Sequence, residues 1–177
     1  MRTKTNWPVI GIAGWKNSGK TTLAVRLIEE FTQRGLKVSS IKHSHHDVHL
    51  DGQESDSAFH RRAGAAEVAL VGANRWALIH ELEDEPAPSL HDILTRMSPC
   101  DLVIVEGYKS ALIPKIEVRR SAQQDHRPLA PDDPNIVAIA SDHPTERGAL
   151  PLFTLDDVQG IAGFITRTVL VNTAPTD

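Results

Sequence analysis

The chain lacks most of what marks a secreted, membrane-bound or nucleic-acid-binding protein. It has one cysteine, Cys100, so no internal disulfide can form, and a reducing compartment suits it. No stretch approaches the ~18–20 consecutive apolar residues of a membrane-spanning helix. The opening Met1-Arg2-Thr3-Lys4-Thr5-Asn6 has no apolar centre of the kind a signal peptide needs, which makes the cytoplasm the expected location. There is no basic excess: the formal net charge is −4, which argues against nucleic acid as the main partner. Internal repeats and low-complexity blocks are missing too, apart from a polar tail over 172–177. What is left, 40% hydrophobic and 24% charged residues in 177, describes a single ordinary globular domain over 1–177.

Against that plain background one stretch stands out. Gly14-Trp15-Lys16-Asn17-Ser18-Gly19-Lys20-Thr21-Thr22 has the spacing Gly-x-x-x-x-Gly-Lys-Thr. An apolar run, Val9-Ile10-Gly11-Ile12-Ala13, precedes it, and apolar residues at helical spacing come after it. Strand, glycine-bounded loop and helix are the parts of a phosphate cradle. The glycines let several backbone N–H groups turn onto one anion, and the helix N-terminus adds about half a positive charge at the same point. In such a cradle Gly14, Asn17, Ser18, Gly19, Lys20, Thr21 and Thr22 surround the phosphates. Lys20 reaches the outer ones and the Thr21 hydroxyl ligates Mg²⁺. These residue types predict a nucleoside triphosphate site.

The rest of the chain reads as an α/β fold. A helix over 21–33 with Gly35 as its C-terminal cap, then a strand over 36–41, completes a strand–helix–strand unit whose strands are parallel. The residues after Ile41 then lie at the carboxyl edge of the sheet, beside the loop. They include His43-Ser44-His45-His46-Asp47-Val48-His49-Leu50-Asp51, and three readings stay open for that segment: a transition-metal cage, a nucleotide-associated loop or an inert polar loop. No closed zinc spacing and no cysteine pair supports the cage. The edge position favours the second reading, in which His43 and His45 donate to phosphate oxygens and Asp47 or Asp51 holds a Mg²⁺-bound water. A short helix after Asp56-Ser57 ends at Gly64, with Arg61 and Arg62 on it. Residues 67–71 and 76–80 pair as a hairpin around Gly72-Ala73-Asn74-Arg75. Ser89 caps a further helix.

Leu102-Val103-Ile104-Val105 is a strand apolar on both faces, and Glu106 directly follows it at the carboxyl edge, where a carboxylate stands near Mg²⁺ in such folds. Glu106 and Lys20 are the expected catalytic pair, and Thr21, Asp47 and Glu106 the expected metal-site residues. Residues 114–120 alternate and predict a strand with one wet face, and 121–133 a polar connection. A buried strand over 136–140 leads to Asp142, whose carboxylate suits the paired N–H donors of guanine. Thr154-Leu155-Asp156-Asp157 caps a closing helix. The fold class is thus a P-loop NTPase-like three-layer α/β fold, its mainly parallel sheet flanked by helices, with an added β-hairpin.

Several of these pieces together resemble one family, the molybdopterin-guanine dinucleotide biosynthesis adaptors (MobB family). They are Asn17-Ser18-Gly19-Lys20-Thr21-Thr22; Ile41-Lys42-His43 with His45-His46-Asp47; Asp56-Ser57 before Ala63-Gly64-Ala65; Val105-Glu106-Gly107-Tyr108-Lys109; and Lys115-Ile116-Glu117-Val118-Arg119. The resemblance spans about residues 9 to 142. It implies a GTP-binding, Mg²⁺-dependent adaptor, a homodimer with weak GTPase activity at most. The implied partners are the guanylyltransferase that joins GMP to the molybdenum cofactor, and molybdopterin itself. The alternative from the same cradle is a small-molecule kinase, with Arg61 and Arg62 as the local candidates for a lid.

Overall fold

The computed structural model describes residues 7–44, 52 and 54–171. In chain order the elements are β1 (Val9–Ala13), α1 (Lys20–Gln33), β2 (Val38–Lys42), α2 (Asp56–Arg62), β3 (Glu67–Val71), β4 (Trp76–His80) and α3 (Leu90–Arg96). They continue with β5 (Leu102–Glu106), β6 (Lys115–Arg119), β7 (Ile136–Ser141), β8 (Leu152–Thr154) and α4 (Val158–Ile165), which runs into a π-helical turn at Thr166–Leu170. The chain divides into two compact units: Met1–His43 with Ile93–Asp177, and Ser44–Asp92.

The larger unit is built on a six-stranded sheet in the order β2-β5-β1-β6-β7-β8, parallel at every pairing. Parallel pairing brings every carboxyl end to one edge. Register fixes which residues meet there: Glu106 of β5 lies opposite Ile12 of β1 on one side and Lys42 of β2 on the other, and Ala13 lies opposite Glu117 of β6. One face of the sheet packs Ile10, Ile12, Leu102, Ile104, Ile116 and Val118 under α1 and α4. Helix α1 buries Leu23, Ala24, Leu27 and Phe31, the stripe its sequence predicts, and α4 adds Ile161, Ala162 and Ile165. Gly35, at φ 84°, ends α1, with its N–H on Thr32 O and that of Leu36 on Phe31 O. Within the expected capping stretch 154–157 the cap is Asp157, its carboxylate accepting from Gly160 N–H at 2.9 Å.

The alternation in β6 does not give a wet face. All five of its residues are buried, including Lys115, Glu117 and Arg119. The reason is position and pairing together: β6 lies between β1 and β7, and its charged face is covered by loops that supply partners. Lys115 Nζ donates to Lys109 O and Ala111 O, both at 2.7 Å, and meets Asp133 Oδ2 at 2.7 Å. Glu117 accepts from the N–H groups of Leu129 (2.8 Å) and Ala130 (3.0 Å) and pairs with Arg119 at 2.8 Å. Arg119 also donates to Thr145 Oγ1 and Glu146 O. A sequence pattern shows where charges alternate, not what will be laid over them. Edge strand β8 is a further element the pattern did not announce; it is three residues long, and its register is set against β7 at Ile139, Ala140 and Ser141.

In the smaller unit, β3 and β4 form the antiparallel hairpin expected from the turn between them, with Val71 opposite Trp76 and Glu67 opposite His80. Ser55, one residue before the expected pair, caps α2 by accepting from Ala58 N–H. The two arginines of α2 are engaged inside this unit: Arg61 meets Glu81 at 3.4 Å, and Arg62 lies over the Phe59 ring at 4.7 Å.

Candidate functional site

The glycine-bounded loop links β1 to α1 at the carboxyl edge, and its backbone explains its composition. Gly14, Asn17 and Gly19 have φ of 152°, 63° and 92°, which only glycine or a small polar residue adopts at little cost. At Gly14 a side chain is excluded outright, since a Cβ there would lie 2.6 Å from both Ser18 Oγ and Val118 O. Helix α1 begins at Lys20 with no side chain capping it. Its first N–H groups therefore lack the partner that Ser55 or Asp157 gives the other helices, and they form a ready anion site. Ser18 is fully buried within the loop, and its Oγ has no hydrogen-bond partner among the described residues.

Four side chains converge beside this helix start. Thr21 Oγ1 donates to Glu106 Oε1 at 2.7 Å. Lys42 Nζ lies 3.4 Å from that same hydroxyl and 3.5 Å from that same carboxylate oxygen. Lys20 Nζ donates to Trp15 O at 2.5 Å. Burial pushes the Lys20 ammonium below the usual lysine range; Glu106 opposes that shift, while Lys109 and Lys42 add to it. Several ammonium groups thus share one carboxylate, a surplus of positive charge at a helix N-terminus. That arrangement suits a polyanion. A hydroxyl whose proton is spent on a carboxylate keeps lone pairs for a hard cation, and the carboxylate can hold a water of that cation. Thr21 and Glu106 thus fit Mg²⁺, and Lys20 with the loop N–H groups fits a triphosphate.

Trp15 forms the other wall. Its indole N–H donates to Arg127 O at 2.6 Å, and its ring has Lys109 Nζ at 4.1 Å and the Arg127 guanidinium at 4.9 Å. Arg127 is in turn clasped by Asp125, and its hydrogen bonds hold that carboxyl down to about 2. Behind the helix start an open cleft is lined by Gly19, Thr22, Leu23, Arg26, Arg120, Asp142, Leu155 and Asp156. Arg26 is paired with Asp156 at 2.7 Å.

Of the residues singled out in the sequence, the structure brings together Gly14, Asn17, Ser18, Gly19, Lys20, Thr21 and Glu106, with Thr22 and Asp142 on the adjoining cleft. His43 stands at the same edge, its N–H on Glu106 O at 2.8 Å and its ring stacked on Tyr108 at 4.4 Å. Gly107, at φ 95°, backs onto it so closely that a Cβ would lie 2.9 Å from His43 Cβ. Asp142 already accepts from Ser121 N (2.7 Å), Ser121 Oγ (3.1 Å) and His143 Nδ1 (2.8 Å). Burial would raise its carboxyl, but these bonds outweigh that and hold it below the usual range. His45 and Asp47 lie outside the described residues. Among the described residues no group of three or more His, Cys, Asp or Glu could hold a metal ion. Sequence reasoning gave no role to Trp15 and Arg127, nor to Lys42 and Lys109, which it quoted only among the family's pieces. For Lys42 the signal was present: a lysine closing a strand at the carboxyl edge, one strand from Glu106.

The chain is also similar to known proteins. Residues 9–142 match the family described as molybdopterin guanine dinucleotide synthesis protein B, MobB. A molybdopterin-guanine dinucleotide biosynthesis adapter protein of Escherichia coli (strain K12) is 39% identical over 168 residues, covering 93% of this chain and 95% of the relative. One from Haemophilus influenzae is 38% identical over 161 residues, covering 89% and 87%. Among solved structures, a molybdopterin-guanine biosynthesis protein B superposes with TM-score 0.69 at 27% identity over 90% of this chain and 98% of that one. A MobB homolog from Bacillus stearothermophilus gives 0.67 at 27% identity over 92% and 97%. The match takes in β1 through β7 together with the loop, Lys42, Glu106 and Asp142, and on that ground the chain belongs to the MobB family.

Proposed function

We propose that this chain is a GTP-binding adaptor in the biosynthesis of molybdopterin guanine dinucleotide, assisting the guanylyltransferase that attaches GMP to molybdopterin. The observation that carries the nucleotide part is the Thr21–Glu106 hydrogen bond at 2.7 Å, set at an uncapped helix start with Lys20 and Lys42 beside it. Lys20 and the loop N–H groups would hold the β and γ phosphates, Thr21 would ligate Mg²⁺, and Glu106, which accepts a hydrogen bond from Thr21, would hold a water of the metal. Mg²⁺ supplies charge neutralisation at the terminal phosphates. The base enters the cleft lined by Thr22 and Asp142. Hydrolysis by the chain alone is slow, because no arginine among the described residues bonds to Thr21 or Glu106; Arg26 turns to Asp156 and Arg127 to Asp125 instead. Phosphoryl transfer gains most from an unengaged arginine on the transferring group.

The adaptor part rests on the family, and the same reading includes a homodimer. What supports a second copy is an exposed apolar face in the smaller unit: Val71, Trp76 and Leu78 lie on one side of the hairpin ladder, 82%, 72% and 51% exposed. The test is calorimetric titration of GTP and ATP with Mg²⁺, repeated with the guanylyltransferase present. The expected result is GTP preference and a ternary complex. Lys20→Ala should weaken GTP about a hundredfold, the ~3 kcal/mol upper range for hydrogen bonds to charged groups. Unchanged affinity in that variant would move the triphosphate elsewhere, and phosphorylation of an added small acceptor would make the chain a kinase instead.

A further inference from the structure

Lys42 is the last residue of β2, directly opposite Glu106 in the parallel ladder. Its ammonium approaches the two oxygens that the triphosphate reading gives to Mg²⁺: Thr21 Oγ1 at 3.4 Å and Glu106 Oε1 at 3.5 Å. Two further lysines at the site are committed differently, Lys20 to Trp15 O and Lys109 to the Trp15 ring. Glu106 is only 14% exposed, so water screens its charge poorly, whereas Lys42 is 63% exposed on a long stem. An ion pair of that kind is weak and easily exchanged. A divalent cation held by Thr21 Oγ1 would need a lone pair on the oxygen that Lys42 approaches. The ammonium and the metal therefore compete for one oxygen pair.

We propose that Lys42 is a built-in monovalent cation for the triphosphate site. It neutralises the Thr21–Glu106 pair when no divalent ion is present, supplies the positive charge for a metal-free triphosphate, and gives way when Mg²⁺ arrives with the nucleotide. This rests on the triphosphate reading and adds one property to it: the chain holds GTP without metal, through Lys42. The coupling between lysine and metal has a sign, since each makes the other less necessary.

The test is calorimetric titration of GTP into the full chain, once with excess Mg²⁺ and once with EDTA, for the native protein, Lys42→Met and Lys42→Arg. The expected result is that Lys42→Met loses about tenfold in affinity in EDTA and less than about threefold in Mg²⁺, as removal of one charge-assisted contact predicts. Lys42→Arg should keep most of the EDTA affinity. Equal losses in both conditions would reduce Lys42 to a tether for Glu106 and overturn the proposal, as would no loss in either. A native chain that binds GTP in neither condition would overturn the triphosphate reading itself, and that result is read before any variant is made. Thermal melting of each variant separates a lost contact from a lost fold.

Discussion

At the scale of single residues the site is a small group of atoms, each with its own consequence on removal. Asp142 is the most instructive, because it has two jobs that can be told apart. It anchors the turn at Ser121 through both carboxylate oxygens and also lines the cleft beside Thr22. A carboxylate has about four lone-pair positions, so three bonds leave room for one further donor such as a guanine N–H. Asp142→Ala should therefore weaken GTP about tenfold while leaving ATP nearly unchanged, ~1.4 kcal/mol of discrimination, measured by competition of the two nucleotides. Equal weakening of both would assign Asp142 to the turn alone.

At the scale of elements, β6 decides how the site is held. Its Glu117 lies opposite Ala13 of β1, one residue before the loop, and Val118 O leaves no room for a Cβ at Gly14. Below it the buried pair Glu117–Arg119 anchors Leu129 and Ala130 on one side and Thr145 and Glu146 on the other. Removing one member of a buried pair leaves the other charged and unmatched. Glu117→Ala should cost about 3–5 kcal/mol, read as a lower urea midpoint at unchanged slope. Because Arg127 is in the loop that Glu117 anchors, the same variant should release Arg127 O from the Trp15 indole and shift Trp15 fluorescence. This strand also marks the limit of what the sequence told. The strand–loop–helix start, the apolar stripe of α1, the doubly buried β5 with Glu106 at its end, and the hairpin were legible, since each rests on local periodicity or turn chemistry. The burial of Lys115, Glu117 and Arg119 was not, because it depends on loops distant in sequence. Lys42 was missed for a related reason: its meaning comes from its register partner, and register is a property of two strands.

At the scale of the molecule, the two compact units carry different surfaces. The larger concentrates positive charge where the carboxyl ends of β1, β2 and β5 converge, while the chain as a whole carries a formal charge of −4. Opposite local and global signs give a site that selects an anion by position rather than by general attraction. The smaller unit instead shows apolar area. Glu67, Ala69 and Val71 share one face of the hairpin with Trp76, Leu78 and His80, and at the end of that face His80 meets Glu67 at 2.9 Å and Glu85 at 3.2 Å. A two-stranded ladder with one apolar face is marginal in water by itself. A second copy of the same face would cover it by two-fold symmetry, with identical patches meeting. Trp76 carries the largest apolar area there, so Trp76→Asp places a charge where an aromatic anchor is needed. Sedimentation should show a dimer for the native chain and a monomer for Trp76→Asp, with GTP affinity unchanged because the triphosphate site is built from the larger unit. A dimer that persists in the variant would place the interface on another face.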